Sequence, residues 1–286
     1  MKILVTGANG QLGSEVRKLS GNYPYNFVFT NSNELNFLNL NSIKSSLNLI
    51  KPNIIINCAA YTSVDNAEKE LFLSDTINHR AINLIAEWTS ENNCKLIHIS
   101  TDYVFDGTSK IPLTELATTK PINVYGKTKL LGEKACLKNN PNTIIIRTSW
   151  LYSSFGVNFV KTILALMKDK DSLNIINDQI GSPTYAADLA NAIFVIINND
   201  KWIPGIYNYS NEGEISWYQF AKSIKELTDS KTHINSILSE EFSTTAKRPK
   251  YSLLDKTKIK KTFKIEVPPH KISLEKCIKI LKNIKK

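Results

Sequence analysis

The chain has 286 residues, of which 42% are hydrophobic and 22% are charged, so it can build a sizeable core and is not a disordered protein. Its formal net charge is +10, and residues 256–261 and 282–286 are basic, but no aromatic and basic interleaving typical of nucleic-acid binding accompanies them. The sequence shows neither a signal peptide nor an apolar run that could cross a membrane, so we expect a cytoplasmic protein without nucleic-acid or membrane partners.

The N-terminal residues predict a strand, a glycine turn and a helix in succession. Lys2–Thr6 is typical of a short buried strand, and Gly7, Gly10 and Gly13 follow it before a helical pattern that runs to Leu19. Glycines let a ligand approach the backbone, and a helix N-terminus attracts phosphate. The spacing Gly-x-x-Gly-x-x-Gly matches the commonest dinucleotide fingerprint only in part, so an ordinary turn is the alternative. The position directly after the first strand favours a dinucleotide site.

The second predicted strand, residues 26–31, bears on the choice of cofactor. An acidic residue at its end usually binds the ribose 2′-hydroxyl of NAD. Asn31, Ser32 and Asn33 stand there instead, and Glu34 comes late. Nothing here repels a 2′-phosphate and nothing cationic binds one, so we expect NADPH, with NADH as the alternative.

Two more predicted strands, at 53–60 and 95–101, carry small and polar residues at their carboxyl ends, where open α/β sheets form binding sites. Ala59 and Ala60 would let a flat cofactor lie against the backbone. Ser100 and Thr101 present hydroxyls suited to a carbonyl oxygen. Both pairs are also ordinary strand-end residues, and a tyrosine on the next predicted helix favours the functional interpretation.

Tyr125 and Lys129 have the spacing of a proton donor beside a fixed cation. Residues four apart share a helix face, whereas Lys127 points to the other side. A nearby ammonium stabilises phenolate, so we expect Lys129 to lower the pKa of Tyr125. In a chain with 36 Lys plus Arg, the same spacing also arises on a solvated helix face. Together with Thr101, the pair forms a plausible catalytic triad.

The alternation of strands and helices up to about residue 150 predicts an α/β, Rossmann-like fold with a doubly wound parallel sheet and a smaller C-terminal substrate-binding lobe. Turns at Pro183, Pro204 and Pro268 mark the later segments. We predict an NAD(P)-binding domain at 1–150 and mainly a substrate lobe at 151–286, with part of the segment near 174–202 returning to the first domain.

Several motifs in chain order extend this pattern over most of the chain, at residues 7–13, 57–65, 100–107, 125–129, 147–152, 158–159, 177–184 and 188–190. They resemble the extended short-chain dehydrogenase/reductase superfamily and, within it, most resemble the dTDP-4-dehydrorhamnose reductase family. The resemblance implies hydride transfer from a reduced nicotinamide to the C4 ketone of dTDP-4-dehydro-L-rhamnose, giving dTDP-L-rhamnose. It implies that Tyr125 protonates the C4 alkoxide, Thr101 binds the same oxygen, and Lys129 also holds the nicotinamide ribose.

The same resemblance implies two sets of binding residues. Cofactor contacts are expected from Gly7, Gly10, Gln11, Leu12, Gly13, Ala59, Ala60, Tyr61, Thr62, Tyr125 and Lys129. Substrate contacts are expected from Thr62, Val64, Thr101, Asp102, Tyr103 and Trp150, and the affinity of arginine for phosphate oxygens adds Arg248. Trp150 would also pack well as a core residue, and Arg248 suits a diphosphate or a surface salt bridge equally.

Some members of the family bind magnesium at a dimer interface through glutamates, and here that pattern breaks. Glu15 matches one ligand, but Ala187 takes the place of a second. A hard cation needs several oxygen ligands, so we expect no magnesium and interpret Glu15 as a first-turn helix carboxylate. The four cysteines lack metal or disulfide spacing, and Cys58 near the cofactor site is interpreted as a small buried hydrophobe.

Two other functions stay open. One is a nucleotide-sugar 4-epimerase or dehydratase of the same superfamily, and the motifs after Trp150 argue against it. The other is a non-catalytic regulatory subunit, against which the Thr101, Tyr125 and Lys129 set argues. The expected partner is a dTDP-sugar, and the chain is expected to be a monomer or a homodimer.

Overall fold

A computed structural model describes residues 1–284. The strands are β1 Lys2–Thr6, β2 Asn26–Thr30, β3 Ile54–Asn57, β4 Lys95–Thr101, β5 Ile144–Thr148, β6 Leu151–Tyr152, β7 Ser172–Ile176, β8 Ile180–Gly181, β9 Thr184–Tyr185, β10 Gly205–Tyr209, β11 Ile215–Ser216 and β12 His233–Ile237. The helices are α1 Gln11–Ser20, α2 Leu40–Ile50, α3 Val64–Ala67, α4 Leu71–Asp75, α5 Ala81–Glu91, α6 Val124–Asn139, α7 Phe159–Asp169, α8 Ala186–Ile197, α9 Trp217–Thr228, α10 Thr257–Phe263 and α11 His270–Ile284. A π-helical turn covers Thr76–Arg80, and 3-10 turns cover Asp102–Val104 and Ser239–Glu241.

The central sheet has six strands in the order β10-β5-β4-β3-β1-β2, and every neighbouring pair is parallel. Parallel neighbours need crossover connections, which the helices between the strands provide. The strand order reverses between β1 and β3, which makes their carboxyl ends a switch point where a ligand can bind. The predicted Rossmann-like parallel sheet is confirmed.

Apolar layers cover both faces of this sheet. One face packs against α1, α8 and α10. The other packs against α2, α5 and α6. The isoleucine runs at 54–56 and 144–146 follow from this arrangement, because a strand covered on both faces needs apolar side chains in both directions.

The chain beyond β5 contributes to two cores. Helix α8 packs on α1 and β10 forms one edge of the central sheet, so these segments return to the first layer. Helices α7, α9 and α11 share a separate apolar core with residues of the short strands. The returning part therefore includes β10 as well as residues before 202. The division at residue 150 stays a prediction.

Several element boundaries differ from the sequence-based expectation. Strand β4 begins and ends where predicted, but β3 ends at Asn57 instead of Ala60. The predicted basic terminus is described only in part, because Lys285 and Lys286 lie outside the described residues. Across residues 1–284, none of the helices combines the length and apolar character that crossing a membrane requires.

Candidate active site

The glycine turn after β1 forms a seat that larger residues would block. Gly7 has φ +64°, and a Cβ on it would lie 2.6 Å from the Ala59 nitrogen. A Cβ on Gly13 would lie 2.4 Å from the Gly7 carbonyl oxygen. Gly10 precedes α1 as its N-cap and offers no capping side chain, so the first N–H groups of the helix keep their capacity to bind an anion. This seat fits a dinucleotide diphosphate.

The two residues after Gly10 differ in what they offer. The Leu12 side chain lies in the apolar core, so only its backbone is available to a ligand. The Gln11 side chain accepts a hydrogen bond from Asn158 Nδ2 at 3.0 Å and donates one to the Leu151 carbonyl at 3.5 Å. Gln11 therefore connects the glycine turn to the segment between Leu151 and Asn158.

The segment after β3 runs beside this turn. Ala59 and Ala60 are half-buried. The Tyr61 N–H donates to Asn78 Oδ1 at 2.9 Å, and the Tyr61 hydroxyl donates to Glu70. The segment ends at Thr62, which is exposed, and Val64, which begins α3. The cofactor and substrate contacts predicted for these residues stay predictions.

Thr101 and Tyr125 come together at the carboxyl edge of the sheet. Thr101 is the last residue of β4, and its hydroxyl lies close enough to that of Tyr125 to lower the pKa of the phenol. Asn123 caps α6 by accepting the Gly126 N–H at 2.8 Å, so the helix begins at Val124 and Tyr125 lies in its first turn. A Cβ at Gly126 would lie 2.1 Å from a backbone oxygen of the preceding loop, and glycine lets the helix start this close to β4.

The pKa of Tyr125 is raised, not lowered as predicted. Burial raises it to about 12, and the neighbouring Thr101 hydroxyl opposes that effect. The prediction is wrong for this structure because burial dominates, Asp102 raises the pKa further, and the Lys129 Nζ donates to the Ile99 carbonyl at 2.6 Å instead. A phenol with a raised pKa keeps its proton at neutral pH, which suits a group that donates it.

Lys129 is buried one helical turn after Tyr125, in an environment of opposing effects. Burial lowers its pKa to about 8, while the nearby Glu133 carboxylate raises it. Glu133 is fixed by Ser100, which donates to Oε1 at 2.5 Å, and by Arg147, which donates at 2.9 and 2.7 Å. The predicted cation is therefore present, and a buried ion pair supports it.

Asp102 and Tyr103 line the same corner. The Thr101 hydroxyl donates to Asp102 Oδ1 at 3.0 Å, and burial raises the pKa of Asp102 to about 6. The ring of Tyr103 meets that of Tyr125 edge-on, with ring centroids 5.6 Å apart. Both residues lie beside the candidate proton donor, and their contacts with the substrate stay predictions.

The other two predicted substrate residues have partners of their own. Arg248 donates to the Asp65 carboxylate at 3.2 and 2.5 Å, so the salt-bridge alternative is what the structure contains, and its contact with a diphosphate stays a prediction. Trp150 directly precedes β6 with φ 48° and stacks on Trp217, with ring centroids 3.7 Å apart. It is half-buried, so its predicted contact with the sugar stays a prediction as well.

A family model for the RmlD substrate binding domain matches residues 1–283. The chain belongs to this family. It is 40% identical over 276 residues to the dTDP-4-dehydrorhamnose reductase of Aggregatibacter actinomycetemcomitans, an alignment that covers 93% of this chain and 94% of that protein. The family resemblance predicted from the motifs is confirmed.

Two solved structures of similar proteins agree with this assignment to the RmlD family. A dTDP-4-dehydrorhamnose reductase from Clostridium acetobutylicum has a TM-score of 0.95 and 39% identity, with coverage of 99% of this chain and 100% of that one. The Bacillus anthracis dTDP-4-dehydrorhamnose reductase in complex with NADP has a TM-score of 0.93 and 37% identity, with coverage of 98% and 99%.

Glu15 departs from its predicted role in this RmlD-family chain. It lies in the second turn of α1, is buried and accepts a hydrogen bond from Ser153 at 2.6 Å. The first-turn interpretation is wrong because the helix begins at Gln11, and burial raises the pKa of Glu15. Within residues 1–284, no three Asp, Glu, His or Cys side chains are grouped as metal ligands. The expectation about magnesium stays a prediction.

The sequence did not predict two residues that hold the segments of the RmlD-family site in place, Asn78 and Glu133. Asn78, on the π-helical turn, donates to the Tyr61 carbonyl at 3.0 Å and to Thr128 Oγ1 at 3.2 Å, and so joins the cofactor segment to α6. No local signal marked Asn78, because Asp75, Thr76, His79 and Arg80 around it are polar as well. The π-helical turn itself is a feature that is frequent at functional sites. For Glu133 the signal was its spacing of four from Lys129.

Proposed function

We propose that the protein reduces the C4 ketone of dTDP-4-dehydro-L-rhamnose to dTDP-L-rhamnose, with Tyr125 as the proton donor. The observation that carries the proposal is the placement of Tyr125 beside Thr101 at the carboxyl end of β4, with Lys129 buried one helical turn further along α6. The relatives named for this reaction, which align over nearly the whole chain, support the choice of substrate.

The protein residues of this site have two roles in the reduction, which are to donate a proton and to stabilise the charges that form. NADPH, when bound at the glycine turn, supplies the hydride that reduces C4. Tyr125 gives its proton to the carbonyl oxygen as negative charge develops there, and Thr101 binds the same oxygen. The Lys129 ammonium then stabilises the phenolate that Tyr125 has become. Both hydroxyls are buried, so little reorganisation precedes the transfer.

NADPH is the cofactor that the end of β2 supports best. Asn31 follows the strand directly and carries no charge. The next acid along the chain, Glu34, accepts the Asn31 N–H at 2.9 Å and is engaged by the turn itself. A 2′-phosphate would therefore meet no carboxylate at the position that selects NAD in many dinucleotide sites. The NADP complex of the Bacillus anthracis relative supports the same choice.

The sugar nucleotide binds against Thr62, Val64, Thr101, Asp102, Tyr103, Trp150 and Arg248 in this proposal. When the sugar nucleotide binds, the Arg248 guanidinium leaves the Asp65 carboxylate and binds the diphosphate. A guanidinium can do this because it binds phosphate oxygens with the same paired geometry as a carboxylate. The formal net charge of +10 favours the approach of an anionic substrate.

The test follows NADPH and NADH oxidation with dTDP-4-dehydrorhamnose in the wild type and in Tyr125→Phe. We expect turnover by the wild type and a loss of about 10²-fold or more in kcat for the variant, the usual size of general acid catalysis. Titration with NADPH checks that the variant still binds its cofactor. Retained turnover in Tyr125→Phe would remove Tyr125 from the mechanism. Copurified stoichiometric NAD without net NADPH oxidation would favour an epimerase or dehydratase instead.

A further inference from the structure

Residues 246–248, called here the bridging segment, attach the later part of the chain to the amino end of α6. The Lys247 carbonyl accepts a hydrogen bond from Asn123 Nδ2 at 2.8 Å, across 124 positions of sequence. The Ala246 N–H donates to Asp65 Oδ1 at 2.9 Å, and the Arg248 guanidinium binds the same carboxylate. The segment is therefore fixed at two points on the dinucleotide-binding side of the protein.

Asn123 has two tasks at this junction. Its Oδ1 accepts the Gly126 N–H at 2.8 Å and caps α6, while its Nδ2 holds the bridging segment. The residue is only 2% exposed, so water does not replace either bond easily. A side-chain amide can accept and donate at once, whereas a carboxylate caps a helix but cannot donate.

Tyr103 is a second residue that links Arg248 to the candidate proton donor Tyr125. The Tyr103 side chain raises the pKa of Arg248 and therefore lies near its guanidinium, and the Tyr103 ring lies edge-on against Tyr125. Tyr125 is separated from Asn123 by one residue. The hydrogen bond of Asn123 thus fixes the bridging segment relative to the first turn of α6, and Tyr103 lies beside both Arg248 and Tyr125.

We propose that Asn123 is a positioning residue that holds Arg248 and Tyr125 in one arrangement for the sugar nucleotide. The inference rests on the proposed function, in which Tyr125 donates the proton and Arg248 meets the diphosphate. Loss of the bond to Lys247 loosens the diphosphate contact in the ground state and in the transition state alike. Such a loss raises KM for the sugar nucleotide and leaves kcat and the KM for NADPH nearly unchanged.

The decisive variant is Asn123→Ser, because a serine hydroxyl still caps the helix but is too short to reach Lys247 as well. We expect its KM for dTDP-4-dehydrorhamnose to rise about 3- to 10-fold, the usual effect of one buried hydrogen bond. Asn123→Asp keeps the cap and cannot donate, so its KM should rise at least as much. Hydrogen–deuterium exchange of residues 244–250 should be faster in both variants, which is a readout that needs no turnover.

Asn140 provides a matched control at the other end of α6. It is also 2% exposed, its Nδ2 donates to Thr89 Oγ1 at 2.9 Å, and its Oδ1 accepts the Asn142 N–H at 3.0 Å. Asn140→Ser removes a buried amide of the same kind far along the helix. It should lower thermal stability without changing KM for the sugar nucleotide or exchange at 244–250.

Two results would overturn the inference. One is a wild-type KM and wild-type exchange in Asn123→Ser, and the other is an equal rise in KM for Asn140→Ser. Failure of the proposed function looks different, because the wild type itself would then not oxidise NADPH with this sugar. The exchange measurement still tests the attachment of the bridging segment in that case.

Discussion

Glu133 lies one helical turn beyond Lys129 on α6, and its carboxylate opposes the loss of charge that burial imposes on the lysine. Burial lowers the pKa of Lys129 to about 8, and Glu133 acts in the other direction. Arg147 and Ser100 hold the carboxylate in place through three hydrogen bonds. The charge beside the proton donor therefore depends on a buried ion pair between α6 and β5.

We expect Glu133→Gln to move the basic limb of the pH profile of kcat/KM to lower pH. In the wild type this limb should lie near pH 8, because Lys129 has a pKa of about 8 and loses its charge above it. Removing the carboxylate removes an effect that raises this pKa, so the lysine becomes neutral at a lower pH. The measurement is kcat/KM with saturating NADPH between about pH 6 and pH 10.

Ser100→Ala is the control for this shift, because it removes a hydrogen bond to Glu133 without removing its charge. Its basic limb should stay near the position of the wild-type limb. Glu133→Gln also leaves Arg147 buried without its ionic partner, which should lower the free energy of unfolding by roughly 3 kcal/mol. Circular dichroism must therefore show that the variant is folded at the assay temperature. A folded variant with an unmoved limb would contradict the prediction.

The contrast between Tyr125 and Glu133 shows what the sequence can predict. Strand β4 and the shared helix face of Tyr125 and Lys129 follow from local patterns, so both were predicted correctly. The pKa of Tyr125 depends on burial by the whole fold, and the pair of Glu133 with Arg147 joins elements that are separate in sequence. The hydrogen bond between Asn123 and Lys247 could not be predicted either, because no local sequence pattern indicates a contact across 124 positions.

Asn31→Asp should reduce the use of NADPH more than that of NADH. Asn31 Oδ1 accepts the Asn33 N–H at 2.8 Å, a bond that a carboxylate of the same shape retains. The added charge would repel a 2′-phosphate and accept a hydrogen bond from a 2′-hydroxyl. We expect kcat/KM for NADPH to fall about tenfold while that for NADH is unchanged or higher. Asn33→Asp adds the same charge two positions later and should have a smaller effect. Equal losses with both cofactors would argue against this site.

Trp217→Ala should weaken binding of the sugar nucleotide. Trp150 has φ 48°, which is unfavourable for a bulky residue, and the stacked Trp217 ring holds it there with an interplanar angle of 11°. Without this support we expect KM for the sugar nucleotide to rise about 5-fold, with an unchanged KM for NADPH. Loss of the near-ultraviolet circular dichroism of the stacked pair would show that the support is gone.

Trp202→Phe is the control for this variant. Trp202 packs against the core of the central sheet and not against the Trp150–Trp217 pair, and its indole N–H donates to the Asn142 carbonyl at 2.7 Å. It should retain the wild-type KM for the sugar nucleotide. The prediction fails if Trp217→Ala loses the signal of the stacked pair and still has the wild-type KM.

Glu15→Gln should stabilise the protein at neutral and higher pH. Burial raises the pKa of Glu15 above 4.5, so the folded state holds this proton more tightly than the unfolded state. The stability that this group contributes is complete below pH 4.5 and is lost as the pH rises through the folded-state pKa. Glutamine still accepts the bond from Ser153 but cannot ionise, so it avoids that loss.

Denaturant unfolding near pH 5 and near pH 8 measures this effect, and the advantage of Glu15→Gln should be larger at the higher pH. Glu226→Gln on the exposed face of α9 removes the same charge without burial and should show little difference between the two conditions. A variant less stable than the wild type at pH 8 would contradict the prediction. If chelation destabilised the wild type but not Glu15→Gln, Glu15 would be a ligand of a bound cation, because a cation favours the ionised carboxylate that burial alone disfavours.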